Sequence, residues 1–173
     1  MILLVDSFPS PIGPVSLASD GRALCALDFE GLDDLARRLR ARFGEGAALR
    51  RVADPQGFTS RARAYFAGEL DALADVPVDG GGTGFQRRVW AALREIPAGE
   101  TRTYSALAAR LGVPRAARAV GLANARNPIA IAVPCHRVIG ADGTLTGYAG
   151  GLERKRWLLA HESARLPLFA AAR

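Results

Sequence analysis

The chain opens with short apolar runs bounded by turn formers and then passes to apolar stripes at helical spacing. Residues 2–8 are mostly apolar, and residues 14–19 and 23–29 flank Asp20-Gly21, a favoured two-residue hairpin turn, so three strands are predicted. Leu32, Leu35, Ala36, Leu39 and Phe43 then recur at the spacing of one helix face, with Arg37, Arg38 and Arg40 off it. Phe58, Ala62, Tyr65 and Phe66 mark a second helix that stops near Gly68. Val76-Pro77-Val78 leads into Asp79-Gly80-Gly81-Gly82-Thr83-Gly84, whose successive glycines read as a linker. The expected organisation is an N-terminal domain over 1–78, a linker over 79–84 and a second domain over 85–173.

Beyond the linker the pattern is mainly helical. Phe85, Val89, Ala92, Leu93 and Ile96 form an amphipathic stripe ended by Pro97 and Gly99. Thr103 can cap a helix from Tyr104 to about Leu111, Gly112-Val113-Pro114 breaks it, and the next helix runs from Arg115 to about Ala125. Two short helices joined by a glycine-containing turn suggest helix-turn-helix. In the second of them Ala116, Ala117, Ala119, Gly121 and Ala123 are small, and Arg115, Arg118 and Arg126 carry charge. Such a low-profile cationic surface suits close approach to a nucleic-acid backbone or a narrow groove; an alanine-rich packing helix has the same composition. Residues 128–134 are a short, apolar, proline-bounded run that delivers Cys135 and His136. A glycine-rich loop with Tyr148 follows, then a helix over about 152–162 and a tail at Pro167.

Composition adds direction to this picture. Residues 1–80 hold nine Arg against twelve Asp and Glu, whereas residues 81–173 hold fourteen Lys and Arg against five Asp and Glu. A bias towards arginine explains why Lys155 is the only lysine, but not this asymmetry, which points the C-terminal half at a polyanion. No apolar run is long enough to span a bilayer, and the N-terminal run lacks the basic start of a signal peptide, so a reduced, cytoplasmic setting is expected for Cys25 and Cys135. Two histidines and two cysteines in no ligand spacing predict no structural metal.

The candidate chemistry lies at Pro134-Cys135-His136-Arg137. A thiol with a pKa of about 8.5 is a few per cent ionised at neutral pH, and a neighbouring base held by a third group removes that handicap. Adjacent residues point apart on a regular strand or helix, so His136 needs an irregular backbone or a bridging water to act on Cys135. Glu162 or Asp142 could orient the imidazole, and helical spacing does not decide whether His161 or Glu162 faces inward. A cysteine hydrolase is the competing chemistry for a Cys-His pair, and a non-catalytic DNA-binding protein is the competing reading of the basic helices.

Pro134-Cys135-His136-Arg137-Val138-Ile139 resembles the active-site motif of the O6-alkylguanine-DNA alkyltransferases, the methylated-DNA–protein-cysteine methyltransferases. Gly84-Phe85-Gln86, Ile96-Pro97, Tyr104, Ala116-Ala117-Arg118-Ala119-Val120-Gly121, Asn127-Pro128, Gly147-Tyr148, Gly150-Gly151-Leu152, Trp157-Leu158-Leu159 and His161-Glu162 resemble that family in order and spacing. The resemblance is strong over about 83–162 and looser before it, through Ser10-Pro11-Ile12-Gly13 and Tyr65-Phe66.

The resemblance implies an α+β protein, with an RNase H-like N-terminal sheet and helices and a mainly helical, winged-helix-like C-terminal domain. It implies single-turnover transfer of an alkyl group from O6-alkylguanine, with O4-alkylthymine open, in double-stranded DNA to Cys135 after base flipping. His136 and Glu162 would take the thiol proton through a water, Tyr104 would protonate or hydrogen-bond the leaving guanine, and Asn127 would tie the turn before Pro128 to the active-site strand. Arg118 would fill the vacated stack, with Ala117, Ala119 and Gly121 leaving room and Arg115 and Arg126 meeting DNA. Backbone groups at Cys135 and Val138 would read the exocyclic amine, and amides around Tyr148-Ala149-Gly150 would meet O6. No cofactor or metal is implied, and a monomer is expected. Ala130 stands where some members carry proline, so a wider alkyl pocket is expected; Ala149 stands where some carry serine and should be tolerated, because that position acts mostly through its backbone amide.

Overall fold

The computed structural model describes residues 1–163; the tail expected at Pro167 lies outside them. The chain divides into two compact units, Met1–Gly80 and a second that begins at Gly81.

In the first unit β1 (Ile2–Ser10), β2 (Gly13–Ser19) and β3 (Leu24–Asp28) form an antiparallel meander, and β4 (Ala48–Arg51) adds parallel to β1, giving the order β3-β2-β1-β4. Alternation along β1 sends Leu3 and Val5 to the face covered by α1 (Leu32–Phe43), where they join Ala18, Ala26, Leu35 and Leu39 in one apolar cluster. The other parity holds α2 (Phe58–Phe66): Asp6 accepts from the Asp54 amide and the Thr59 hydroxyl, and the Phe8 ring meets Phe66 edge-on. Two expectations need correction. The hairpin loop between β2 and β3 spans four residues, because the Asp20 carboxylate accepts from both Arg22 N and Ala23 N and draws the chain into a wider turn around Gly21. The pattern also gave no sign of β4, an arginine-bearing edge strand with mostly exposed residues.

The second unit contains α3 (Gly84–Arg94), β5 (Arg102–Thr103), α4 (Tyr104–Arg110), α5 (Ala117–Ala125), β6 (Val138–Ile139) and α6 (Leu152–Ser163), with β5 and β6 parallel. Thr83 and Gln86 close a capping box on α3, and Thr103 caps α4 by accepting from Ala106 N. Trp90 of α3 donates to the Ala123 carbonyl of α5 at 2.9 Å, which fixes the helix carrying the small residues. Gly82 lets the chain pass that indole; a Cβ there would sit 2.7 Å from it. Helix α5 starts at Ala117 rather than Arg115, since Ala116 N closes a turn on the Val113 carbonyl after Pro114. Residues 128–134 are not a strand. Their buried backbone turns back on itself through Val133 N to Ile129 O and Cys135 N to Val133 O, with Ile131 in the left-handed region at φ 67°. No described helix is long and apolar enough to cross a membrane.

Candidate active site and nucleic-acid interface

The turn that carries Cys135 is built by asparagine. Asn127, just past α5, donates through Nδ2 to the Val133 carbonyl at 2.7 Å and accepts at Oδ1 from Ile129 N at 3.0 Å. Its side chain thereby replaces the ladder that these buried amides and carbonyls would otherwise need. Asn124, on α5 itself, donates to the Cys135 carbonyl at 3.3 Å. Cys135-His136-Arg137 then form one 3-10 turn, the irregular backbone that lets neighbouring side chains serve one site.

His136 is fully buried, and its Nε2 lies 2.7 Å from Oε1 of Glu162 on α6. Of the two carboxylates that could orient the imidazole, Glu162 does so; Asp142 is exposed and accepts from Thr144 in a turn. His161 turns aside and stacks on Trp157 at 4.7 Å. Glu162 also receives Arg137 Nε at 2.9 Å and Nη2 at 2.8 Å, while Arg137 Nη1 donates to the Ile96 carbonyl. Burial would raise the Glu162 pKa, but His136 and Arg137 outweigh it and hold the carboxyl well below the usual carboxylate range. Burial pushes the His136 imidazole below its ordinary value against the pull of Glu162, so the ring is neutral at pH 7. With Glu162 ionised, Nε2 carries the proton and Nδ1 is left as an acceptor, with no hydrogen-bond partner among the described residues. The arrangement supplies a neutral base, backed by a carboxylate, on the residue next to a buried thiol.

Tyr104 opens α4, half-buried, with a side-chain hydrogen bond to Thr146. Burial raises its phenol above the ordinary value, the Thr146 bond lowers it and the Cys135 charge raises it further, so it remains a proton donor at pH 7. Gly121 faces it: a Cβ on Gly121 would be 3.6 Å from the Tyr104 ring. Lys155 of α6 is fully buried and donates to the carbonyls of Val138 at 2.6 Å and Thr146 at 2.9 Å, holding β6 to the glycine-rich loop. Burial pulls its ammonium down to about 8, with Cys135 acting the other way. Val138 is buried, Tyr148 and Gly150 are half-buried and Ala149 is exposed. Arg115, Arg118, Ala119 and Arg126 are exposed along or beside α5, and Ala117 is half-buried. Cys25 sits in β3, its thiol pushed up to about 11 by burial.

Sequence reasoning passed over Arg137, Lys155, Asn124 and Thr146. Lys155 carried a signal, since this chain uses lysine once against 22 arginines. Among the described residues no three His, Cys, Asp or Glu side chains gather as a metal site would require.

Fold and site together define a helix-turn-helix protein with a cysteine and its base built into the helical unit. The chain belongs to the 6-O-methylguanine DNA methyltransferase family: the family's ribonuclease-like domain matches residues 3–80 and its DNA binding domain residues 84–164. It is 51% identical over 161 residues to the methylated-DNA–protein-cysteine methyltransferase of Mycobacterium bovis, covering 91% of each chain. It is 47% identical over 163 residues to that of Salmonella typhimurium, covering 92% of this chain and 95% of the relative. The crystal structure of Mycobacterium tuberculosis OGT in complex with DNA is similar at a TM-score of 0.77, with 46% identity over 96% of both chains.

Proposed function

We propose that this protein repairs DNA by direct reversal, moving the alkyl group of O6-alkylguanine in duplex DNA onto Cys135 once and irreversibly. The observation that carries the reading is the buried Glu162–His136 pair on the residue beside Cys135, in the unit that also presents Arg118 on an exposed, small-residue helix. DNA as the partner agrees with the family's DNA binding domain and with the relative solved on DNA. The protein acts as a monomer in the cytoplasm, where the thiol stays reduced.

Helix α5 enters the minor groove, with Ala117, Ala119 and Gly121 allowing close approach and Arg115 and Arg126 meeting phosphates. The damaged guanine leaves the stack and Arg118 fills the gap, its guanidinium hydrogen-bonding the orphaned cytosine. The Cys135 proton passes through a water to His136 Nδ1, giving an imidazolium paired with Glu162. The thiolate then attacks the alkyl carbon. The new S–C bond forms as the C–O6 bond breaks, and the electron pair goes to the guanine, where a hydrogen bond or proton from Tyr104 lessens the charge. Carbonyls of Cys135 and Val138 accept from the exocyclic amine, and amides around Tyr148, Ala149 and Gly150 meet O6. Nothing at neutral pH cleaves the resulting thioether, so each molecule reacts once.

Duplex DNA labelled on the O6-methyl group tests this. One equivalent of label should move to the protein, and none to Cys135→Ala or Cys135→Ser. DNA binding without transfer, or repeated turnover, would overturn the reading.

A further inference from the structure

Helix α5 keeps one long apolar side chain in solvent. Leu122 is 55% exposed although it lies in the middle of the helix, next to the buried Ala123. Val120, Ala123 and Asn124 form the face that holds α5 to its unit, and Leu122 lies outside that face. A single leucine on a surface is ordinary. This one is set apart by what surrounds it. Arg118 and Ala119 precede it by four and three residues, and Ala125 and Arg126 follow it by three and four, so all four flank it on the helix surface, and all four are exposed. Neither arginine has a carboxylate partner among the described residues.

Duplex DNA has the relief that fits this face. The minor groove is about 6 Å wide and a helix with its side chains about 10–12 Å across, so a helix rests on the groove and only side chains enter it. Arginines at both ends of the face suit the phosphate rims. Ala119 and Ala125 let the backbone come close, and Leu122 between them is the apolar group long enough to reach past it. A leucine in this groove works as a wedge: it packs against the sugar edges and pries a base step apart, with no charge or hydrogen bond involved. A helical turn advances about 5.4 Å and a base-pair step about 3.4 Å, so a helix lying along the groove sets Leu122 about one to two steps from the base that Arg118 replaces.

We infer that Leu122 is an apolar wedge that enters the minor groove one helical turn from Arg118, loosens the stack beside the lesion and so eases base flipping. The inference rests on the repair reaction proposed above and divides its flipping step between two side chains. Arg118 fills the gap once the base has left, whereas Leu122 weakens the stack that the base must leave.

The test is single-turnover transfer by the full-length protein, at saturating protein, from O6-methylguanine in a duplex and in the same strand unpaired. Leu122→Ala should slow the duplex reaction about tenfold, the worth of the apolar contact removed, and leave the single-strand reaction unchanged, since a base without a partner has little stack to lose. Leu122→Met, apolar and of similar reach, should keep the duplex rate. Because Leu122 is exposed, neither change should move the melting temperature, and because it meets no phosphate the salt dependence of binding should stay the same. Equal slowing of both reactions, or no slowing of either, would overturn the inference. So would a shallower salt dependence in Leu122→Ala, which would mean displaced arginines, or a dimer without DNA that Leu122→Ala dissociates, which would mean that a second copy covers this face. No transfer by the wild-type protein from either substrate would count against the repair reading itself; the wedge would then be read on undamaged duplex, where Leu122→Ala should still weaken binding with its salt dependence intact.

Discussion

Replacing Glu162 by glutamine isolates the charge at the centre of the site while keeping its volume. The carboxylate receives three bonds: His136 Nε2 at 2.7 Å and Arg137 Nη2 at 2.8 Å on Oε1, and Arg137 Nε at 2.9 Å on Oε2. Glutamine offers one acceptor oxygen and one NH2. If its oxygen stands at the Oε1 position, the NH2 opposes Arg137 Nε–H. If it is flipped, the NH2 opposes His136 and forces the tautomer that puts the proton on Nδ1, where the base function is needed. Either way the Arg137 guanidinium, 8% exposed, loses the carboxylate that offsets its desolvation. Removing one partner of such a buried pair costs about 3–5 kcal/mol. In a chain of this size that corresponds to a loss of about 6–20 °C in melting temperature. The kinetic effect adds to this: without the carboxylate, burial and the Arg137 and Lys155 charges act on His136 unopposed and make it a weaker base. Single-turnover transfer at pH 7 is expected to fall at least about a hundredfold, the lower range for a positioned base. The deficit should narrow as pH rises and hydroxide takes over deprotonation of the thiol from the imidazole. Denaturant titration measures the first effect and quenched-flow label transfer across pH 6–9.5 the second, with Asp142→Asn as the exposed control. A stability loss below about 1 kcal/mol, within the range of an ordinary surface change, together with an unchanged pH–rate profile, would refute the reasoning.

The same groups set the acid limit of stability. His136 has a folded pKa below its ordinary 6.5, so as pH falls through 6.5 the unfolded chain takes up a proton that the folded one refuses, and stability declines. Glu162 has a folded pKa below its ordinary 4.5; its stabilisation is present above 4.5 and is lost as pH falls from there through the folded value. Melting temperatures between pH 7.5 and 4 should therefore fall in two stages, and a flat profile down to pH 5 would contradict the His136 assignment. Arg118→Ala should slow transfer from duplex DNA without changing the melting temperature, because the flipped state loses the side chain that fills the stack; an unchanged transfer rate would remove Arg118 from the interface. Asn127→Ala leaves the Ile129 amide and Val133 carbonyl without their side-chain partner, so chemical denaturation should show a loss of about 1–3 kcal/mol.

How much of this was legible depends on whether hydrophobicity or chemistry fixed each element. Leu35 and Leu39 of α1, and Val89 and Leu93 of α3, are buried where the helical stripe puts them, because those faces meet apolar neighbours. Strand β4 was invisible because an edge strand with Arg50 and Arg51 needs only backbone pairing with β1. Cys135 and His136 stood out by residue type, but the turn that presents them did not: its geometry comes from Asn127 and from Ile131 at positive φ, neither of which leaves a periodic trace. Helix α6 shows the limit most clearly. Its buried residues are Lys155, Leu158 and Glu162, one face at i, i+3 and i+7, and two of the three are charged, whereas a hydrophobic stripe would turn Leu152 and Leu159 inward. Leu152 is in fact 41% exposed. A stripe rule fails there because the helix packs against a site, not against a core. Lys155 is needed for the Val138 and Thr146 carbonyls, and Glu162 for His136 and Arg137. A helix that buries a lysine and a glutamate while leaving a leucine exposed conflicts locally with the rule that builds folds, and that conflict is itself the mark of a functional surface.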